Sequence, residues 1–463
     1  MLLAVCCALA AAFLPAVPAQ AASQSIPNGG QFTTSSGDPV HAHGGGVIKV
    51  GAYYYWFGEH RGDDNTFLYV DAYRSTDLKN WEFRNHVLTR SSAGELATAN
   101  IERPKVMYNA ATGKYVMWMH KESATDYSQA RAAVAVSDTV DGTYTYQGSF
   151  RPLGAHMSRD LTVFTDTDGT GYMVSAANEN YDLHIYKLTA DYTGIASLVA
   201  NPWPGGHREA PALFKRGGVY FMLTSGATGW SPNQQQYATA SSLAGPWTAM
   251  KNVGDSTSYG SQTAYVLPVQ GSSGTGYLYM GDRWGNSFGT NVNGSRYVWL
   301  PLTFPNTTTM TMSWAPEITV DAAAGTIGAT SATYETLAAR HSTKCVDVPD
   351  QSLLTGKAVT QYTCNGGANQ NFWFKSVGSG YYALVGRGSS LCLTENAASV
   401  TQENCTGATT QQWSATASGG YTTLRARATG ECLDVNGAST ADSAAIITYA
   451  CNGATNQQWT RAS

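Results

Sequence analysis

The sequence predicts an all-β chain, a five-bladed β-propeller followed by a smaller domain of three disulfide-bearing repeats. Three observations carry this expectation. Short Tyr-, Val- and Met-rich runs, separated by Gly and Asp-Gly turns, fill residues 24–320 without a helical period. A unit of about fifty residues recurs among them, the size of one propeller blade. None of the eight cysteines lies between residues 8 and 344, and six fall between Cys345 and Cys451.

From the N-terminus, residues 2–19 are apolar and lead into Ala19-Gln20-Ala21, a small-x-small cleavage pattern. Residues 1–21 are therefore expected to be a signal peptide and the mature protein to be secreted. No later stretch is apolar for long enough to cross a bilayer. Only 13% of the 463 residues are charged, the net charge is -4, and no Lys/Arg run occurs, which argues against nucleic-acid and anionic-membrane partners. The 27 Tyr and 12 Trp suit strands and also suit sugar faces, whose C–H groups stack on aromatic rings.

The propeller is expected over residues 24–330. Its strand starts align as "HGGGVIKVGAYYYW", "ERPKVMYNAATGKYVMW", "DLTVFTDTDGTGYMV", "EAPALFKRGGVYFM" and "QTAYVLPVQGSSGTGYLYM", headed by His43, Glu102, Asp160, Glu209 and Gln262 at intervals of 59, 58, 49 and 53 residues. Equivalent positions on innermost strands converge on the central channel. Three carboxylates meeting there would raise the pKa of at least one and hold a proton near neutral pH. Such a group can protonate a glycosidic oxygen. Asp38-Pro39, five residues before the first of these positions, reads as a turn opener.

The last domain is expected over residues 334–463. Its cysteines fall as Cys345/Cys364, Cys392/Cys405 and Cys432/Cys451, one pair per repeat, which in an exported protein favours one local disulfide each over a zinc site. Each repeat ends in a related motif, at Gln370-Asn371-Phe372, Gln411-Gln412-Trp413 and Gln457-Gln458-Trp459, with the first Gln six residues after the second Cys. This pattern resembles the ricin-type β-trefoil, carbohydrate-binding module family 13. The resemblance implies sugar pockets in the first repeat (Asp347, Tyr362, Asn365, Asn369, Gln370) and in the third (Asp434, Tyr449, Asn452, Asn456, Gln457). The middle repeat has Thr394, Glu403, Thr406 and Thr410 at the matching positions, so it is expected to be structural.

A Glu in "HREAPALF", an Asp on the preceding blade in "SRDLTVF" and an appended carbohydrate-binding module together resemble glycoside hydrolase family 43. That resemblance implies an inverting hydrolase with Glu209 as general acid and Asp160 as the group that orients it and tunes its pKa. Family members place an Asp base at the head of blade one, where this chain has His43. "AHGGG", "NIERPKV" and "YGSQTAYV" resemble one branch, the exo-β-1,3-galactanases. The branch implies Gln262 as base or water positioner, with Glu102 needed at the site and standing as the rival base. Glu59, His43, Tyr127 and Trp284 are expected to contact substrate. No cofactor or metal is expected, and a monomer is. The implied partner is β-1,3-galactan, the arabinogalactan backbone. Two alternatives stay open: an α-L-arabinofuranosidase or β-xylosidase of the same family, and a non-catalytic galactan-binding lectin.

Overall fold

The computed structural model describes residues 23–397 and 399–463, so the expected signal peptide lies outside the described residues. Five four-stranded antiparallel sheets follow one another in chain order, each a simple meander. Their first strands are His43–Val50, Ala99–Asn109, Leu161–Thr165, Arg208–Arg216 and Gln262–Gly271. Each first strand packs against the next, and the fifth packs against the first, so the five form a closed cycle. A sixth, three-stranded sheet joins the N-terminal strand Gln24–Pro27 to Glu317–Asp321 and Thr326–Thr330. That pairing ties the start of the chain to the segment following the fifth sheet.

The alternation of the sequence explains how the sheets stack. Strands such as Tyr53–Arg61 and Lys114–Ser123 carry large apolar groups on both faces, because each sheet has a neighbour on either side. Ile101, Met117 and Met119 fill the space toward the first sheet, while Trp118 and Val134 fill it toward the third. Trp56, Trp81, Tyr297 and Trp299 close the cycle between the first and fifth sheets.

Residues 334–462 form a separate antiparallel assembly around Phe372, Trp413 and Trp459, the aromatic residues of the three repeat motifs, all buried. The indole nitrogens of Trp413 and Trp459 donate to the carbonyls of Leu393 and Leu433 at 3.1 and 3.2 Å, which satisfies the polar atom each would otherwise bury. Disulfides join Cys345 to Cys364, Cys392 to Cys405 and Cys432 to Cys451, so none of these thiols is left for zinc. The two parts touch through Arg296, which donates to the carbonyls of Ser389 and Leu353, and through the Lys375–Glu317 ion pair.

Candidate active site

A recurrent backbone device aims the functional side chains. The strand register breaks after His43, Glu102, Glu209 and Thr263, in four of the five first strands. Such bulges bend a strand and redirect its side chains. The next residue takes a left-handed φ in three cases: +62° at Gly44, +55° at Arg103 and +50° at Ala210. For Arg103 and Ala210 this costs on the order of 1–3 kcal/mol each.

The result is a cleft of about 430 Å³, whose lining includes Glu59, Glu102, Asp160, Glu209 and Gln262. Tyr127 and Trp284 also line it, so seven of the eight residues expected at the site are brought together. His43 is not. It is fully buried, its Nδ1 3.0 Å from Asp282 Oδ1 and its ring stacked on Tyr297 at 4.7 Å. The two Asp282 oxygens hold the His43 ring and the Gly44 amide, which makes His43 a support beneath the cleft rather than a sugar contact. Asp38 sits in an exposed turn, accepting from the Ser36 hydroxyl, as its Asp-Pro dipeptide suggests.

Arg103 organises one half of the site. Its guanidinium donates to Asp160 Oδ2 at 2.8 Å, Gln262 Oε1 at 2.6 Å and the Thr263 carbonyl at 2.7 Å, and it lies over the Trp284 ring at 5.4 Å. Gln262 Oε1 also accepts from Trp284 Nε1 at 2.7 Å. Its amide nitrogen donates to Glu209 Oε1 and Ser225 Oγ, both at 2.9 Å. Two obligatory donors on one side fix the orientation of the amide, and all four of its hydrogen-bonding positions are in use.

Glu209 is 7% exposed and accepts a second bond from Asn180 Nδ2 at 3.0 Å on Oε2. Burial first, and then the Asp160 charge, push its pKa up to about 8, against the opposing pull of Arg103 and Gln262. The carboxyl therefore holds its proton at neutral pH.

The other half behaves oppositely. Burial would raise Glu102, but His120, Arg61 and Tyr127 outweigh it and hold this carboxylate well below its ordinary range. Arg61 and the Tyr127 hydroxyl donate to Oε1 at 2.6 and 2.8 Å, and His120 Nδ1 lies 3.2 Å from Oε2. His120 also contacts Glu122 at 2.8 Å, and although burial works against its charge, these two carboxylates raise its pKa to about 9. Glu59 is lifted to about 7, chiefly by burial, even with Arg61 clasping its Oε2. One cleft thus holds a protonated carboxyl beside an ionised one, the division of labour needed for acid–base work at a single bond.

Arg103, Arg61 and His120 escaped sequence reading. Arg103 lies inside the "ERPKV" stretch that located Glu102, while Arg61 and His120 are on second strands and carry no motif. The rim adds Tyr181 and Trp230, the latter edge-on to Trp284 at 5.1 Å.

The family model for glycosyl hydrolases family 43 matches residues 41–273, about half of the chain. The chain belongs to that family. A second model, the ricin-type beta-trefoil lectin domain, matches residues 333–459. Among solved structures, the family 43 chain resembles 1,3Gal43A, an exo-β-1,3-galactanase from Clostridium thermocellum. The identity is 47% over 94% of this chain and 99% of that one, with a TM-score of 0.66. It also resembles the exo-β-1,3-galactanase of Phanerochaete chrysosporium solved with galactose, at 33% identity over 78% and 82% of the two chains, TM-score 0.65. A third relative is the β-1,3-galactosidase BT3683 with galactodeoxynojirimycin, at 34% identity over 63% and 99%, TM-score 0.58. A comparison with curated proteins found no match. As a family 43 member with these relatives, the chain is a glycoside hydrolase.

Its lectin-type domain repeats one side-chain arrangement in two places. In the first repeat Asp347, Tyr362, Asn365 and Asn369 line a pocket of about 360 Å³. Gln370 is buried behind them, and it and Asn369 both donate to Asp347 Oδ2 at 2.9 Å. The third repeat repeats this arrangement: Asn456 and Gln457 donate to Asp434 Oδ2 at 2.9 Å, and the Tyr449 ring is exposed. Gln370 and Gln457 also accept from the backbone amides of Asn365 and Asn452. In the middle repeat Gln411 meets the Thr394 hydroxyl instead, so no carboxylate stands in the place of Asp347 and Asp434.

Proposed function

We propose that the chain is a secreted, inverting exo-β-1,3-galactanase that releases galactose from the non-reducing end of β-1,3-galactan. In this reading the five sheets over residues 24–330 are the blades of a closed propeller, and residues 334–463 are a trefoil that retains the enzyme on arabinogalactan. The observation that carries it is the pairing of a protonated Glu209 with an ionised Glu102 in one cleft, in a family 43 chain 47% identical to an exo-β-1,3-galactanase.

Glu209 is the general acid that protonates the glycosidic oxygen. Asp160 orients Arg103 and keeps Glu209 protonated. The base must activate a water on the opposite face of the sugar. Gln262 has no free lone pair or hydrogen while it holds Arg103, Trp284, Glu209 and Ser225, which supports a positioning role. We assign the base role to Glu102, which is ionised and faces His120 through Oε2, although the contacts that hold its pKa below the ordinary range also weaken it as a base. Glu59, Tyr127 and Trp284 bind the sugar.

The discriminating experiment compares three variants on β-1,3-galactotriose, arabinan and xylan oligosaccharides. Glu209→Gln and Glu102→Gln should each lose about 10²–10⁴ in kcat, the usual worth of a general acid or base. Gln262→Ala should lose less and raise KM. Near-full turnover in Glu102→Gln would sink the base assignment, and arabinose or xylose release alone would sink the galactanase reading.

A further inference from the structure

The first sheet carries a second cluster of ionisable groups, apart from the catalytic cleft. Three adjacent strands each contribute one side chain: His60 from Tyr53–Arg61, Asp71 from Phe67–Ser75 and His86 from Glu82–Thr89. Asp71 is directly opposite His86 in the ladder, and His60 is opposite Tyr69, two residues from Asp71. The period of two therefore puts all three on one face.

Both imidazoles approach the carboxylate by the same atom. His60 Nδ1 is 2.9 Å from Asp71 Oδ2, and His86 Nδ1 is 2.5 Å from Oδ1. All three ligand-type atoms lie within 4.8 Å of one another. Each ring is held in place by a stacked neighbour, His41 on His60 at 4.1 Å and Tyr69 on His86 at 3.8 Å. The Tyr73 hydroxyl donates to Asp71 at 3.1 Å and accepts from the His41 amide at 2.9 Å, fixing the carboxylate from behind. His41 Nδ1 is buried without a hydrogen-bond partner beside this cluster.

From this geometry we infer that His60, Asp71 and His86 form a binding site for a zinc-class divalent cation on the first sheet, independent of the galactanase reading. Two imidazoles and a carboxylate are the donor set such ions take, with remaining positions left to water. Bonds of about 2.0–2.2 Å in a tetrahedral site set the ligand atoms roughly 3.3 Å apart. The present N–O separations need to open by less than about 1 Å to reach this. The Asp71 side chain is 2% exposed, whereas those of His60 and His86 are 22% and 40% exposed, so the ion reaches a buried carboxylate from solvent. The ligands are 11 and 15 residues apart in the chain, and only strand pairing brings them together. Bound there, the ion would cross-link three strands of one sheet.

The test uses the tag-free full chain, stripped by chelator, titrated calorimetrically with Zn²⁺ and followed by the visible spectrum with Co²⁺. One ion per chain is expected, with a rise in melting temperature. His86→Ala, at a half-buried position, and Asp71→Asn should each weaken binding at least tenfold and abolish the four-coordinate Co²⁺ spectrum. Glu102→Gln should leave both unchanged, and retained turnover in His86→Ala shows that this variant is folded. Absence of binding, or binding unaffected by His86→Ala and Asp71→Asn, overturns the site. Binding lost in Glu102→Gln instead places the ion among Glu102, His120 and Asp160 and overturns it equally.

Discussion

In the proposed mechanism Glu209 is the residue on which the chemistry turns, and its protonation gives a pH signature. An acid must hold its proton to act, so with its pKa at about 8, kcat/KM should fall as pH rises through that value. Asp160→Asn removes a charge that favours the protonated form and leaves the Arg103 cation without its carboxylate. Both changes lower the Glu209 pKa, so the alkaline limb of the profile should move to lower pH as well as the rate falling. An unmoved limb would show that Asp160 does not act through Glu209. His120 provides a stability counterpart. Its folded pKa of about 9 exceeds the unfolded value near 6.5, so its contribution is fully present below about pH 6.5 and is lost as pH rises through about 9. Thermal melts of the wild type should therefore decline over that window more steeply than those of His120→Gln. The same substitution leaves the buried Glu122 with only the more distant Arg159, 3.9 Å away, and should lower stability at neutral pH.

The glycines of "HGGGVIK" have a reason at the scale of the strand. A Cβ on Gly45 would lie 1.6 Å from the Phe57 carbonyl oxygen, and one on Gly44, at φ +62°, would lie 2.7 Å from Glu59 Oε1. Gly45→Ala should therefore fail to give soluble folded protein, while Gly51→Ala, at a turn with open space around it, should fold with a small loss. Each disulfide of the last domain closes a short loop spanning 13 or 19 positions, and its removal should lower stability by about 3 kcal/mol. Denaturant midpoints of a Cys392→Ala/Cys405→Ala double variant measure this for the middle repeat. These elements also show what the sequence makes legible. The heads of the five first strands align in the sequence, because an apolar run follows each polar residue. A Gly triplet is a local signal of close backbone approach, and Gly45 bears it out. His43 misled because its strand position matches the others, yet its ring turns beneath the cleft to Asp282, a residue 239 positions away. Arg103 and His120 were invisible for a related reason. Their roles come from three-dimensional convergence and, at Arg103, a strained φ, and no local motif records either.

At the scale of the whole molecule, the proposed function assigns hydrolysis and retention to separate cores. Asp347→Ala combined with Asp434→Ala should weaken binding to branched polysaccharide while leaving turnover of β-1,3-galactotriose unchanged. Equal losses on both would mean that the domains do not divide the work. The contacts of Arg296 and Lys375 across the junction hold the two cores together. The central claim is inversion at a galactose residue by a protonated Glu209, and proton NMR of β-1,3-galactotriose hydrolysis tests it most directly. The expected first-formed product is α-galactose, released one unit at a time and appearing before mutarotation, with the signal abolished in Glu209→Gln. First-formed β-galactose, or no galactose at all, would contradict it.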